Sequence, residues 1–585
     1  MIDIAALLLI SAIAYGVGKQ VLAHLGTSPQ ERVAEFAFAI ALGLGVLAYA
    51  VLALGLAGGL YPAAAALVLL AAALWGYWPR APMPPAPRRP MAAPDRDVWV
   101  WVVAIIVVVA ALANFTAAYA PPTGDDALSY HLAAPKIWLH DHRMTPLPWR
   151  WATYGPMNVE MLSLLGMLLH LGRLPSLFLW LFGVITVLGF WGLFGGRRRP
   201  FIPLVAGAIL YVGYLVAKMS SAGQIDLGLA CYALLATAAF LTFLRTGEER
   251  WVVLSGICAG LAAGTKYTGA VIVVLLIAAV YLVAAIRGRG AWRAVVQFAL
   301  PAVVLAAPWY LRSLIETGDP VYPFFTALRE AGPFRTQLLG LSERYRPGWS
   351  LRELAFTGGR LLRDIGPVYG GFLPASVLAW RAPRSWVMWA LIAGFGTIWL
   401  LTAANPRFLL PVLPLAAAMA ALGFDFFQQA SPRARRVART ALLVGLIAGA
   451  VVTVRMDTPF VPVAYGWETS DQFLRRTLEF YPDIAWMNEH LPEGARVLFF
   501  PRGGFYLDRT YVGIGTTTQT GDFATWMRAR GVTHVYCFAD HCGRVERSGV
   551  PYTVLHTGEV SIELRREDDE PTRVRTAVLE LRTGP

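Results

Sequence analysis

Apolar runs long enough to cross a hydrocarbon core of about 30 Å recur along most of this chain, separated by short polar segments. They predict spans near 2–23, 33–57, 60–78, 98–120, 174–195, 201–218, 226–244, 251–264, 268–286, 294–310, 367–380, 386–403, 408–428 and 440–456. The expected fold class is an α-helical polytopic membrane protein with about 13–15 transmembrane helices. One apolar stretch, Tyr154 to His170, does not fit the alternation of sides and is expected to be an interfacial or re-entrant helix. Beyond 456 the pattern changes. Trp467–Glu479, Ile484–His490 and Phe523–Arg530 read as helices, and Ala495–Phe500 and His534–Phe538 as strands, which together suggest a small α/β domain.

Four regions follow: a three-helix membrane extension (1–79), a Pro/Arg-rich linker (80–97), the main membrane domain (98–456) and a soluble C-terminal domain (457–585). The first run lacks a basic n-region and is soon followed by further spans, so it reads as a retained helix.

Composition supports lipid as the solvent: 57% of the 585 residues are hydrophobic, only 15% are charged, and mean hydropathy is +0.53. The formal net charge of +13 is concentrated in short loops, where it sets orientation, and no aromatic-basic groove accompanies it, so no nucleic-acid partner is expected. With the linker on the cytoplasmic side, the basic loops Arg197–Arg199, Arg245–Arg250, Arg287–Arg293, Arg381–Arg384 and Arg433–Arg439 all fall there too. The expected setting is the inner (cytoplasmic) membrane, with the N-terminus and the C-terminal domain extracytoplasmic.

Carboxylates and cations then gather in the external loops. Asp125 and Asp126 directly follow a span. Adjacent side chains on extended backbone point to opposite sides, so one carboxylate should do chemistry as a base and the other position it. A solvated turn after Pro-Pro-Thr-Gly is the bland alternative. Lys266, Arg312 and Arg407, from three separate parts of the chain, lie at span ends on the same face. Each alone reads as a snorkelling anchor, but together with the carboxylates they suit a phosphate leaving group. Asp226, at a span start, is explained equally by helix capping or by function. Tyr130, His131, Tyr267 and Glu316 complete the candidate substrate contacts. A divalent metal stays open through His131, His140, Asp141 and His142, without a strong ligand spacing. Cys537 and Cys542, flanked by His534 and His541, suit a disulfide, free thiols or zinc. No nucleotide-binding fingerprint is present, which points away from a nucleotide-driven reaction.

On GDDALSYHLAAPKIW, GTKYTG, PWYLRSLIETGDPVYPF and NPRFLLPVLP the chain resembles the glycosyltransferase C superfamily. It is most similar to the bacterial branch of protein O-mannosyltransferases and the lipid A aminoarabinose transferase (glycosyltransferase family 39-like). The resemblance runs from about Val98 to the end of the membrane domain. It implies a polyprenyl-phosphate-linked sugar donor held near Lys266, Arg312 and Arg407, an acidic residue of the Asp125-Asp126 pair acting on the acceptor, and inversion at the anomeric carbon. The acceptor, whether lipid, glycan or protein, is not specified. Two features depart from the family plan: three extra N-terminal spans, and Asp in place of Glu as the second acidic residue. The rival reading is a transporter or flippase for a lipid-linked or anionic substrate, although the chain lacks internal repeats and midplane charges. A third is a non-catalytic subunit of an envelope assembly.

Overall fold

The computed structural model describes residues 1–79, 98–194, 201–288, 290–329, 350–402, 404–500, 503–513, 522–538, 540–562 and 572–582. The expected linker 80–97 and the basic loop Arg197–Arg199 lie outside these. Its first helices are α1 (Ile2–His24), α2 (Arg32–Ala57), α3 (Pro62–Gly76), α4 (Val98–Ala118), α5 (Ala133–His140), α6 (Glu160–Leu168), α7 (Leu174–Phe194), α8 (Phe201–Tyr211), α9 (Tyr214–Ser221), α10 (Asp226–Thr246), α11 (Arg250–Ala263), α12 (Tyr267–Ile286), α13 (Ala291–Thr317) and α14 (Phe324–Arg329). Leu351–Ile365, Pro367–Ser376, Ser385–Leu401, Leu413–Gln428 and Pro432–Asp457 follow.

Among the described residues eight helices are long and apolar enough to cross a membrane. A ninth span is counted if α8 and α9, bent by 65° at their junction, form one crossing. Pro62–Gly76, Arg250–Ala263, Ser385–Leu401 and Leu413–Gln428 are shorter apolar helices. The chain is a multi-pass membrane protein. Two expectations change in detail. The run near 367–380 is a ten-residue helix followed by a 3-10 turn, about 15 Å of α-helix, which is half a bilayer core. Tyr154–His170 yields the nine-residue α6, whose side chains are nearly all buried among its neighbours rather than spread along an interface.

The N-terminal extension is packed into the body. Gly43 of α2 lies against the Ala14 carbonyl and Gly18 of α1 against that of Ala39, approaches that leave no room for a Cβ. Such contacts let helices associate in lipid, where burial supplies no driving force between them. Lys19 and Glu35 pair across the same interface, and Tyr49 of α2 donates to the Leu305 carbonyl of α13.

Two ends of the bundle differ in chemistry. α10 begins at Asp226 and ends beside Arg245; α12 begins after Lys266 and ends before Arg287. The 21 residues of α10 span about 31 Å, so these ends lie a bilayer core apart. At the basic end Arg245, Arg384, Asp425 and Gln428 line one cavity. There Arg293 pairs with Glu249 at 3.0 Å, and Arg439 lies over the rings of Trp99 and Phe201.

The C-terminal domain stands at the other end. Its five-stranded sheet has the order β2-β1-β3-β5-β4, with β1 (Arg496–Phe499), β2 (Thr510–Gly513), β3 (His534–Phe538), β4 (Tyr552–Ile562) and β5 (Thr572–Leu581). β1 pairs in parallel with β2 and β3, while β5 runs antiparallel to β3 and β4. The expected helices are present as Ser470–Thr477, Tyr481–His490 and Phe523–Ala529. Cys537 and Cys542 form a disulfide.

Candidate functional site

The loop after α4 carries Asp125 and Asp126 to the turn between α9 and α10. Gly124 lies so close to the Ala222 carbonyl that a Cβ would collide with it, and Gly223, at φ +67°, sits against Pro122 and Ala127. Both positions need glycine, one for close approach and one for left-handed backbone. Ala127–His131 then forms one π-helical turn. The two loops are thereby locked together, and Asp126 is presented to Gln224 and Asp226.

Arg407 is the hub. Its Nη1 donates to Asp126 Oδ2 at 2.6 Å and to Gln224 Oε1 at 2.7 Å, and its Nε lies 3.6 Å from Asp226 Oδ2. Lys266, on the segment between α11 and α12, donates to Asp226 Oδ1 at 2.8 Å. The ring of Phe408 lies beneath both cations, 5.2 Å from the ammonium and 5.6 Å from the guanidinium. The Asn405 side chain caps the Arg407 backbone N–H at 3.0 Å, fixing the Asn-Pro-Arg turn. Two carboxylates and two cations from four parts of the chain thus meet at one point.

The electrostatics follow from burial and pairing. Burial alone would raise the Asp126 carboxyl, but Arg407 and His131 outweigh it and hold the group below the ordinary carboxylate range. Burial would lower Arg407, yet Asp226 and Asp126 keep it above its usual value. Lys266 is pushed below the ordinary range, burial prevailing over its carboxylate partner. Tyr130, half-buried beside this group, is raised by burial and by the charge of Asp126, so it stays a phenol able to donate. Asp125 is exposed and has no partner among the described residues. Of two neighbouring carboxylates one is fixed by an arginine and the other is free.

Other candidates lie around this centre. His131 is buried with its Nδ1 2.7 Å from Glu160 Oε1, and its ring packs on Tyr130. Among the described residues Arg312 makes no hydrogen bond or ion pair to the cluster. It bonds Glu316 Oε1 through Nε and the Thr153 carbonyl through Nη1, both at 3.0 Å, and lies over the Trp138 ring. Tyr267 donates to the Tyr322 carbonyl at 3.1 Å. The structure therefore brings together Asp126, Asp226, Lys266 and Arg407 with Tyr130 and His131 alongside, and sets Arg312, Glu316 and Tyr267 in a neighbouring network. Gln224 and Glu160 were missed as site residues because a neutral amide in a short loop and a lone carboxylate inside an apolar segment give no spacing signal. Among the described residues no group of three or more His, Cys, Asp or Glu is arranged to hold a metal.

The terminal domain sits on the same loops. Tyr506 donates to the Pro122 carbonyl at 2.8 Å. Lys136 of α5 reaches the Phe505 and Leu507 carbonyls and Asp508.

Residues 161–311 match the family model of dolichyl-phosphate-mannose-protein mannosyltransferases. The fold is similar to that of ArnT from Cupriavidus metallidurans bound to undecaprenyl phosphate, with a TM-score of 0.54 at 15% identity over 83% of this chain and 98% of that one. The chain shares the fold of that protein. ArnT in the apo state gives a TM-score of 0.52 at 14% identity, over 82% of this chain and 97% of that one. The oligosaccharyltransferase of Archaeoglobus fulgidus gives a TM-score of 0.47 at 14% identity, over 74% of this chain and 67% of that one. No curated protein matches the chain in sequence. The family-matched stretch contains Asp226, Lys266 and Tyr267, whereas Asp125, Asp126, Arg312 and Arg407 fall outside it.

Proposed function

We propose that this protein is an inverting glycosyltransferase that moves a sugar from a polyprenyl-phosphate donor to an acceptor hydroxyl or amine at the extracytoplasmic membrane face. The observation that carries the proposal is the junction of Arg407 and Lys266 with Asp126 and Asp226, beside the free Asp125. Lys266 has ammonium N–H groups beyond the one used by Asp226, and the Arg407 Nε is buried without a hydrogen bond. These spare donors suit a phosphate, which charge-assisted hydrogen bonds recognise strongly away from water. The family match and the likeness to a fold seen with undecaprenyl phosphate support the same donor class. Placing the basic ends inside, by the positive-inside bias, leaves this cluster and the terminal domain outside.

In the reaction Asp125 accepts the proton of the acceptor as its oxygen or nitrogen attacks the anomeric carbon. The bond from that carbon to the phosphate oxygen breaks, and polyprenyl phosphate departs with the electron pair, its growing charge stabilised by Lys266 and Arg407. Asp126 acts by fixing Arg407. Arg312 and Glu316, with Tyr267, form the wall along which the donor or acceptor lies, and the terminal domain restricts which acceptors enter.

The test uses purified protein in liposomes with polyprenyl-phosphate sugars, following release of polyprenyl phosphate. Asp125→Asn should abolish release while leaving insertion and thermal stability intact. An active, correctly inserted Asp125→Asn/Asp126→Asn double variant would exclude the proposal, and vectorial movement of intact donor without release would favour the flippase reading.

A further inference from the structure

The loop that carries Asp125 is held from two sides. The membrane body holds Gly124, packed on the Ala222 carbonyl, and Asp126, bonded to Arg407. The terminal domain holds the flanks. Before Asp125, Tyr506 donates to the Pro122 carbonyl at 2.8 Å. After it, the Gly503 backbone faces Leu128, whose side chain a Cβ at 503 would meet at 3.5 Å. On α5, which continues the loop, Lys136 donates to the Phe505 and Leu507 carbonyls at 2.9 and 3.2 Å and to Asp508 Oδ1 at 2.9 Å.

These contacts all come from one short segment, 503–508, which contains the 3-10 turn Gly504–Tyr506. The segment is fixed to its own domain by the helix Tyr481–His490. Asn488 of that helix donates to the Tyr506 carbonyl at 2.9 Å and accepts from the Asp508 N–H at 2.8 Å. The Tyr506 ring stands edge-on to Tyr481, 5.7 Å between centroids, while Ile484 and Met487 bury the helix in the domain core. An exposed lysine pair alone contributes little. Lys136 differs because each of its three ammonium donors meets an acceptor of this one segment, so the side chain gives up the freedom that a snorkelling lysine keeps. Asp125 is exposed and has no partner of its own among the described residues. Its direction is therefore set by the backbone on either side of it, and the terminal domain grips that backbone at both ends.

We infer that Tyr506 and Lys136 are positioning residues for Asp125: the membrane domain carries the base and the terminal domain aims it. The inference rests on the reading of Asp125 as the base. It gives the terminal domain a part in the rate of transfer itself, beyond the choice of acceptor, and leaves the donor phosphate to Lys266 and Arg407.

The experiment combines two measurements on the purified full-length protein. Release of polyprenyl phosphate in liposomes gives kcat and the donor KM, and hydrogen exchange in detergent follows the amides of residues 122–131. Tyr506→Phe removes only the hydroxyl, and Lys136→Met keeps the length of the side chain. Tyr465→Phe is the matched control: its hydroxyl lies 3.3 Å from Thr116 Oγ1 of α4, away from the loop. Tyr506→Phe and Lys136→Met should each lower kcat about tenfold or more, the cost of a misplaced catalytic group. The donor KM should stay within about twofold, because the donor contacts are untouched. Exchange at 122–131 should quicken several-fold in both variants while that of α10 stays as in wild type, and Tyr465→Phe should change neither measurement. Unchanged kcat in both variants, unchanged exchange in both, or an equal loss in Tyr465→Phe would overturn the inference. Failure of the glycosyltransferase reading shows separately, as a wild type that releases no polyprenyl phosphate, and the exchange measurement then decides alone whether the segment holds the loop.

Discussion

Two carboxylates that end up buried in this protein, Asp226 in the membrane domain and Asp483 in the terminal domain, are solved in opposite ways. Asp483 is surrounded by two hydroxyls and an imidazole. Tyr536 and Thr576 reach its Oδ2 at 2.8 and 2.6 Å, and His556 lies 3.0 Å from Oδ1. The Trp486 ring stacks on His556 and closes the group, and Gly558 packs directly on the carboxylate. Asp226 is met instead by two cations from distant segments, Lys266 at 2.8 Å and Arg407 at 3.6 Å, the second beyond hydrogen-bond distance. A carboxylate saturated by hydroxyls and an imidazole of its own domain holds a fold together. One that gathers more cationic donors than it uses prepares a place for another anion.

The comparison breaks most visibly at Arg407. Arg407→Ala leaves Asp126 and Asp226 without their shared partner, which costs about 3–5 kcal/mol when a buried pair is broken and removes a phosphate contact worth about 10²–10³ in rate. Transfer by this variant should fall below detection and its Tm should drop, whereas Arg407→Lys should recover part of the Tm but little of the rate, since a point charge does not replace the fork. A fully active Arg407→Ala would erase the distinction between the two carboxylates.

The converse substitution, Asp483→Asn, replaces a saturated acceptor and leaves one of its donors unmatched. A loss of about 1–3 kcal/mol is expected in the terminal domain, read as earlier unfolding or proteolysis of residues 457–585, with turnover at low temperature changed less than threefold. A collapse of turnover with an intact terminal domain would assign Asp483 to chemistry.

The smallest effect concerns pH. The folded Asp126 carboxyl lies below its ordinary value of 3.8, so the stability from its pairing is present above that pH and is lost only as pH falls through the lower folded value. Tm should therefore show no Asp126-dependent decline between pH 5 and pH 8, checked by comparing wild type with Asp126→Asn. A decline in that window, absent from the variant, would mean that the pair is not formed.

Much of the architecture was legible because lipid imposes simple rules: long apolar runs marked the spans, and arginine-rich loops marked one end of the bundle, as Arg245, Arg384 and Arg439 bear out. The break between α8 and α9 was hidden, because Val212-Gly213 interrupts neither apolarity nor length. Strand β2, with β4 and β5, was missed since alternation in Tyr552–Ile562 is mixed with charge and the pairing is supplied by β3. At the site, Asp125-Asp126, Lys266 and Arg407 stood out as charges at span ends, and Asp226, equally well explained as a cap, proved to be an ion-pair partner. Arg312 shared that signature but turned to Glu316, four residues along its own helix. Sequence shows which charges reach a face; only packing decides which of them meet.

The central claim is that Lys266 and Arg407 jointly hold a lipid-linked phosphate, and native mass spectrometry of the purified protein with polyprenyl phosphate tests it most directly. Wild type and Asp125→Asn should retain the bound lipid phosphate equally, while Lys266→Met and Arg407→Gln should each lose it by about tenfold or more. Equal retention by all four proteins, or loss in Asp125→Asn alone, would contradict the account.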